Sequence, residues 1–196
     1  MMKRRHLLMA CLLSSLGLGT MSNAYASDAT LMQAELTLDE PGQKPGVFVS
    51  ASYEFDLPHT LHEALHRGIP LYFAHEFQLS RERWYWIDKT IVEEKFIIRL
   101  AFNPLTQRYR LSYNGFSQDY DSLEQVLPYI KSVRRWRVAD IDNLQHDGVQ
   151  VAIRFYLDTT KLPKAMQVTN SSLSDWTIQS GWHDIPIPAS FTHVAS

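Results

Sequence analysis

The chain is poor in cysteine, in net charge and in long apolar runs, and each shortage excludes a class of protein. Its 196 residues include one cysteine, which rules out an internal disulfide framework. The formal net charge of −2 gives no general attraction to nucleic acid. After residue 26 no apolar run approaches the roughly 18 uncharged residues that a membrane-spanning helix needs. With 20% charged and 12% aromatic residues, the composition is typical of one folded domain.

The first 26 residues are typical of a secretory signal peptide. A basic start at residues 3–5 precedes a mostly apolar stretch over residues 7–21, and small residues stand at Ala24 and Ala26. We therefore expect cleavage between Ala26 and Ser27. Cleavage would remove the cysteine and three of the 19 basic residues but none of the 21 acidic ones, so the net charge would fall from −2 to −5.

Most of the remaining sequence alternates apolar and polar residues with the two-residue period of a β-strand. The clearest runs cover residues 47–55, 71–79, 92–102, 109–113 and 149–157, with weaker signals at 36–38 and 176–178. Turn residues at 103–106 join two of these runs into a hairpin that ends at Asn114-Gly115. Strands that follow one another directly favour an antiparallel sheet.

Two segments have helical periodicity instead. Residues 58–67 begin with a proline at a first-turn position, and Gly68 follows them as a stop. Residues 122–133 begin with Ser122 at capping-box spacing, although Pro128 predicts a kink or a shorter helix. The sequence therefore predicts an α+β fold, a mainly antiparallel β sheet or sandwich with two short helices. We expect residues 27–183 to form a single β-rich domain and residues 184–196 a flexible tail.

Residues 62–66 spell His-Glu-Ala-Leu-His, a literal H-E-x-x-H on the first predicted helix. In zinc hydrolases the two histidines ligate the metal and the glutamate polarises its bound water. Helical spacing places His59, His62 and His66 opposite the apolar stripe of this helix, on the face where solvent is expected. We therefore expect no catalytic zinc centre and no cofactor, and interpret these histidines as a solvated face or a surface metal site.

The densest aromatic run includes Arg81, Arg83, Trp84, Tyr85 and Trp86. Aromatic rings beside arginine are typical of surfaces that bind peptides or sugars, so these five residues are the candidate binding residues. The alternative is that the two tryptophans fill the core, because tryptophan contributes a large buried area. A second basic run at residues 131–137 is interpreted as the solvated end of the second helix.

Several motifs resemble the domain-of-unknown-function 4390 family. The most specific are Arg-Gly-Ile-Pro-Leu-Tyr-Phe at residues 67–73 and Arg-Trp-Tyr-Trp at residues 83–86, with further agreement at residues 55–58 and 136–138. The resemblance implies an exported protein of Gram-negative bacteria, and hence the periplasm. Genes of this family often neighbour a membrane sensor histidine kinase, which suggests a partner. The family has no established activity, so the resemblance assigns no catalytic residues.

We therefore predict a periplasmic, non-catalytic binding or accessory module. Its partner would be an envelope or inner-membrane protein, such as that sensor kinase, and not a nucleic acid. Two alternatives remain open. One is a zinc-dependent hydrolase that uses residues 62–66, and the other is a binding module for an envelope glycan or lipid.

Overall fold

The structure is a computed structural model that describes residues 27–39, 46–81, 89–144, 148–167 and 176–191. The predicted signal peptide, residues 1–26, lies outside this part of the chain. The strands are β1 (Ser27–Asp28), β2 (Thr30–Leu38), β3 (Gly46–Glu54), β4 (Leu71–Arg81), β5 (Lys89–Asn103), β6 (Arg108–Tyr113), β7 (Phe116–Tyr120), β8 (Ser132–Asp140), β9 (Val149–Leu157), β10 (Ile178–Gln179) and β11 (His183–Asp184). The helices are α1 (His59–His66), α2 (Leu123–Ile130) and α3 (Lys164–Gln167).

The larger of two sheets is built around the long β4–β5 hairpin. Its strand order is β1-β10-β9-β4-β5-β6-β7, and β11 also pairs with β9. The pairs along this order are antiparallel except for β1 with β10. Because side chains alternate along a strand, Phe73 and Phe77 of β4 face inward while Tyr72 and Glu76 share the opposite face. We call that opposite face the open face of the large sheet.

The smaller sheet has the order β2-β3-β8 and packs against the inner face of the large one. Aromatic rings meet across the two layers: Tyr53 of β3 lies 5.2 Å from Phe155 of β9, and Trp136 of β8 lies 5.9 Å from Phe96 of β5. The buried apolar residues form one contiguous core cluster that draws on both sheets and both longer helices. This two-layer arrangement, with mainly antiparallel strands, confirms the predicted α+β class.

The prediction of which face of helix α1 is buried is confirmed, since Leu61, Ala64 and Leu65 are its buried residues. Helix α2 confirms the shorter of the two predicted alternatives, because it ends at Ile130, two residues after Pro128, and the chain then enters β8. Val133, which was predicted to be the last residue of this helix, is instead a buried residue of β8. The basic run at residues 131–137 is therefore mostly strand, and its interpretation as a helix end was wrong.

The C-terminal segment is not a flexible tail throughout. Strand β11 pairs with β9 through His183↔Ile153 and Asp184↔Ala152. Beyond it, Ile185 is 3% exposed and Phe191 is 5% exposed. The predicted tail from residue 184 is thus wrong as far as residue 191, because apolar side chains dock this segment onto the core. Residues 192–196 lie outside the described part.

Candidate binding site

The candidate binding run begins where β4 ends. Arg81 is the last residue of β4, is exposed, and is the register partner of Lys89 in β5. The other four candidates, Arg83, Trp84, Tyr85 and Trp86, lie outside the described residues. Both interpretations of this run, as a binding surface or as tryptophans that fill the core, therefore stay predictions.

The three histidines of α1 do not share one environment. His59 is exposed and approaches Glu63 at 3.7 Å. His66 stacks on Phe102, with ring centroids 4.4 Å apart, and its Nε2 lies 2.8 Å from the hydroxyl of Tyr109. His62 lies between them, 4.4 Å from the ring of His66. His66 is exposed like His59, but its ring also contacts the sheet. The described residues contain no group of three or more His, Cys, Asp or Glu side chains placed to hold a metal ion.

The strongest polar arrangement lies elsewhere, on the open face of the large sheet. Glu76 of β4 is the register partner of Arg154 in β9 on one side and of Lys95 in β5 on the other. Its carboxylate is only 3% exposed although it lies on the outer face of the sheet. Both flanking cations reach it: Arg154 donates from Nε at 2.9 Å and from Nη2 at 2.7 Å to one oxygen, and Lys95 lies 3.4 Å from the other.

The guanidinium of Arg154 also lies between two aromatic rings. Its central carbon is 4.9 Å from the ring of Tyr156 and 4.5 Å from the ring of Trp182. Such cation–π contacts favour arginine over the face of tyrosine or tryptophan. The guanidinium is therefore held by two hydrogen bonds to Glu76 and by contacts with two aromatic rings. We call these residues, together with Lys95, the Arg154 cluster.

A bulge in the edge of the sheet brings Trp182 to this position. The four residue steps from Gln179 to His183 lie opposite only three steps on β9, from Tyr156 to Ile153, so the edge carries one extra residue. The hydroxyl of Ser180 compensates for the interrupted pairing, since it accepts a hydrogen bond from the backbone N–H of Phe155 at 2.9 Å.

Two clefts flank the Arg154 cluster on either side of β10. One, of about 540 Å³, is lined by Arg154, Gln179 and Trp182 together with residues 29–31. The other, of about 400 Å³, is lined by Lys95, Arg154 and Tyr156 and by the hydroxyl residues Thr159 and Thr160. Trp182 is 41% exposed, so its ring remains available for a ligand to pack against. A cleft of about 410 Å³ on the small sheet has no comparable aromatic stack among the residues that line it.

The electrostatics of the Arg154 cluster hold its charges constant. Burial raises the pKa of Glu76, but the hydrogen bonds and positive charge of Arg154, with the charge of Lys95, outweigh burial and bring the pKa below its usual value. Contact with Glu93 and the charge of Glu76 raise the pKa of Lys95. Burial, and then the charge of Glu76, raise the pKa of Tyr156. Each of these three shifts moves the pKa away from neutral pH, so charged Glu76 and Lys95 and the neutral Tyr156 hydroxyl are favoured there.

Sequence reasoning missed the Arg154 cluster. Glu76 and Arg154 are 78 residues apart and each reads as an outward polar position of an alternating strand. One local signal was present: Glu76 follows His75 inside a run that is otherwise apolar, where a charge needs a partner. Trp182 gave no signal, because the bulge that positions it depends on pairing with β9.

The model of the family described as "Domain of unknown function (DUF4390)" matches residues 26–186. The chain belongs to the DUF4390 family. The match confirms the resemblance to this family, and the Arg154 cluster lies within the matched residues. No curated protein and no solved structure matches this DUF4390 chain. Within the described part of the chain, no helix is long and apolar enough to cross a membrane.

Proposed function

We propose that this DUF4390 protein is a non-catalytic accessory module that binds a segment of a partner protein in the two clefts beside β10. The observation that carries the proposal is the Arg154 guanidinium held by Glu76 between Tyr156 and Trp182. Arginine, tyrosine and tryptophan are the residues that dominate the binding free energy at protein interfaces. Here they are already ordered, which lowers the entropic cost of binding.

A protein partner suits the clefts better than a small substrate does. The clefts are open and lie side by side along an edge of the sheet, so an extended segment can contact both. Their hydroxyl, amide and guanidinium groups can hydrogen-bond a polypeptide backbone, and the exposed Trp182 ring can pack against an apolar or proline side chain. The pKa shifts of Glu76, Lys95 and Tyr156 all move away from neutral pH, which supports a role in binding.

We propose the periplasm as the compartment in which the protein acts. The basic and apolar start of the chain supports export, and the resemblance on which family membership rests implies the periplasm of a Gram-negative bacterium. A membrane protein of the inner envelope, such as a sensor histidine kinase, is then the class of partner to test first.

Site-specific photo-crosslinking tests the proposal. A photoreactive side chain replaces Gln179, which is exposed and lines both clefts, and a matched one replaces Gln118, which is exposed on β7. Illumination of intact cells should yield one discrete membrane-protein adduct from position 179 and none from position 118. Equal adducts from both positions, or none from position 179, would contradict the proposal.

Substitution then tests the residues. Trp182→Ala removes the exposed ring of the stack, and Tyr129→Ala removes an exposed ring on α2 as a control. Trp182→Ala should abolish the adduct at position 179 while the thermal transition stays close to that of the parent chain, and Tyr129→Ala should leave the adduct unchanged. Capture by peptidoglycan or lipid vesicles that depends on Trp182 would favour the glycan or lipid alternative instead.

A further inference from the structure

A separate group of cations lies on the same open face, towards the end of the β5–β6 hairpin. Arg99 of β5 stands beside Arg110 and Arg108 of β6, since Ala101 pairs with Arg110 and Asn103 with Arg108. The small side chain of Ala101 leaves a hollow of about 340 Å³ among them. We call this hollow the Arg99 pocket.

The three arginines differ in how they are neutralised. Arg110 donates to both oxygens of Asp119, at 2.7 and 2.9 Å, and Arg108 lies 3.1 Å from Asp121. Arg99 donates from Nε to the hydroxyl of Tyr72 at 3.3 Å, and among the described residues it has no carboxylate partner. This single bond orients the half-buried guanidinium and leaves its two terminal nitrogens as charged donors.

The rim of the pocket supplies a further donor. The side-chain oxygen of Asn103 accepts hydrogen bonds from the backbone N–H groups of Leu105 and Thr106, at 3.0 and 3.4 Å. Its amide nitrogen is therefore left to donate outward. Donors from Arg99 and Asn103 around a hollow whose lining carries three arginines against one aspartate form a site for an anionic oxygen group.

The turn that forms this rim also carries the most exposed large apolar side chain of the described residues. Leu105 is 95% exposed and lies next to Pro104 and Thr106, which line the pocket. A protruding apolar residue beside unneutralised positive charge is the pairing by which proteins attach to an anionic bilayer: the apolar residue enters the interface and the cation meets a headgroup.

We propose that the Arg99 pocket binds the phosphate of an anionic phospholipid headgroup while Leu105 enters the membrane interface. Arg99 of β5 lines the same hollow as Pro104 and Thr106, the two neighbours of Leu105, so a single orientation of the protein can bring both contacts to one membrane surface. This inference is independent of the protein-binding clefts beside β10, because no residue that lines those clefts lines the Arg99 pocket.

Vesicle co-sedimentation tests the proposal with the chain from Ser27 onward, since the core of the described residues starts at Ala29. Vesicles of phosphatidylglycerol mixed with phosphatidylcholine are compared with vesicles of phosphatidylcholine alone. The parent chain should bind the anionic vesicles, and the binding should weaken with salt. Arg99→Gln should weaken it about fivefold and Leu105→Ser about tenfold. Arg134→Gln, the same charge change at an exposed position of the small sheet, should leave it within experimental error.

A second experiment distinguishes a lipid headgroup from a free phosphate ion. It titrates the protein with inorganic phosphate alone and monitors the arginine side-chain N–H groups by NMR. A lipid site requires that Leu105→Ser weakens vesicle binding without altering the phosphate titration. If Leu105→Ser leaves vesicle binding unchanged and phosphate titrates Arg99, the pocket is a site for a free anion and the lipid proposal fails. Equal binding to both kinds of vesicle, or equal losses in Arg99→Gln and Arg134→Gln, would also overturn it.

Discussion

Arg154 and Glu76 form a two-bond contact across the β4–β9 pair, with both donors of the guanidinium directed at one carboxylate oxygen, at 2.9 and 2.7 Å. The carboxylate is nearly buried whereas the guanidinium is about a third exposed. Removing the buried member of an ion pair lowers the free energy of unfolding, because the charges that surrounded it are left without their partner. The pair therefore both stabilises the sheet and fixes the residue on which the proposed protein-binding site depends.

Glu76→Gln is expected to lower the free energy of unfolding by about 2 kcal/mol, since it leaves Arg154 and Lys95 facing each other without the charge between them. Chemical denaturation with urea at neutral pH measures the change. Glu93→Gln is the control, because Glu93 contacts the same lysine but its side chain is 51% exposed. That control should change the unfolding free energy by less than about 0.5 kcal/mol, and equal effects of the two variants would refute the role assigned to Glu76.

His75 should make the protein less stable in mild acid. It is fully buried, and its Nε2–H donates to the backbone oxygen of Ile130 at 3.0 Å while Nδ1 has no described partner. Burial lowers the pKa of His75 to about 4, although the bond to Ile130 opposes this. Between its ordinary value of 6.5 and 4, the unfolded chain binds a proton that the folded chain does not, so stability is complete above pH 6.5 and falls as the pH is lowered.

The expected loss from this histidine is about 2 kcal/mol between pH 7.5 and pH 5. Urea unfolding at a series of pH values measures it. In His75→Gln, which keeps a donor but has no titrating ring, the curve between these pH values should be flatter than that of the parent chain. Parallel curves for the two proteins would show that other groups cause the pH dependence.

The histidines of α1 should differ in their contribution to stability. His66→Ala removes a ring that stacks on Phe102 and bonds Tyr109, so the unfolding free energy should fall by about 1 kcal/mol. His59→Ala removes a mostly exposed side chain from the same helix and should have almost no effect. Thermal and urea unfolding of both variants measure the difference. If both histidines were fully solvated, the two variants would have the same unfolding free energy.

Ile185 tests whether the segment after β11 is part of the folded domain. Ile185→Ala should lower the unfolding free energy by about 2 kcal/mol, because the side chain is 3% exposed and its removal leaves a cavity. Ile187→Ala, at a half-buried position two residues later, should cost less. Hydrogen exchange provides a second measurement: the backbone N–H of Ile185, which donates to Val151 at 2.8 Å, should be protected. A flexible tail would show neither effect.

Local periodicity was sufficient to predict much of the fold. The alternation at residues 47–55 corresponds to β3, and the turn at residues 103–106 separates β5 from β6 as expected. The apolar stripe of α1 and its end before Gly68 were also readable, because a helix buries the face that its own spacing creates. These features depend on neighbours in the chain, so a single sequence contains the information for them.

Strand β8 shows how local reasoning failed. Val49 and Ala51 of β3 pair with Trp136 and Val133, so two steps on β3 lie opposite three on β8 and the extra residue forms a bulge at Arg135, whose φ is +45°. The bulge turns both Val133 and Trp136 towards the core at a spacing of three. Val133 also lies three residues after Ile130, which is the spacing of the apolar stripe of α2, and the predicted helix was therefore extended to Val133.

The amino-acid sequence by itself thus determined which segments form strands, which form helices and where turns separate them, because these features depend on contacts between residues close together in the chain. The Arg154 cluster exists only after distant strands align. Register placed Glu76 between Arg154 and Lys95, and an extra residue at the sheet edge placed Trp182 over the guanidinium. Pairing between remote strands is governed by packing of the whole domain, and no local pattern encodes it.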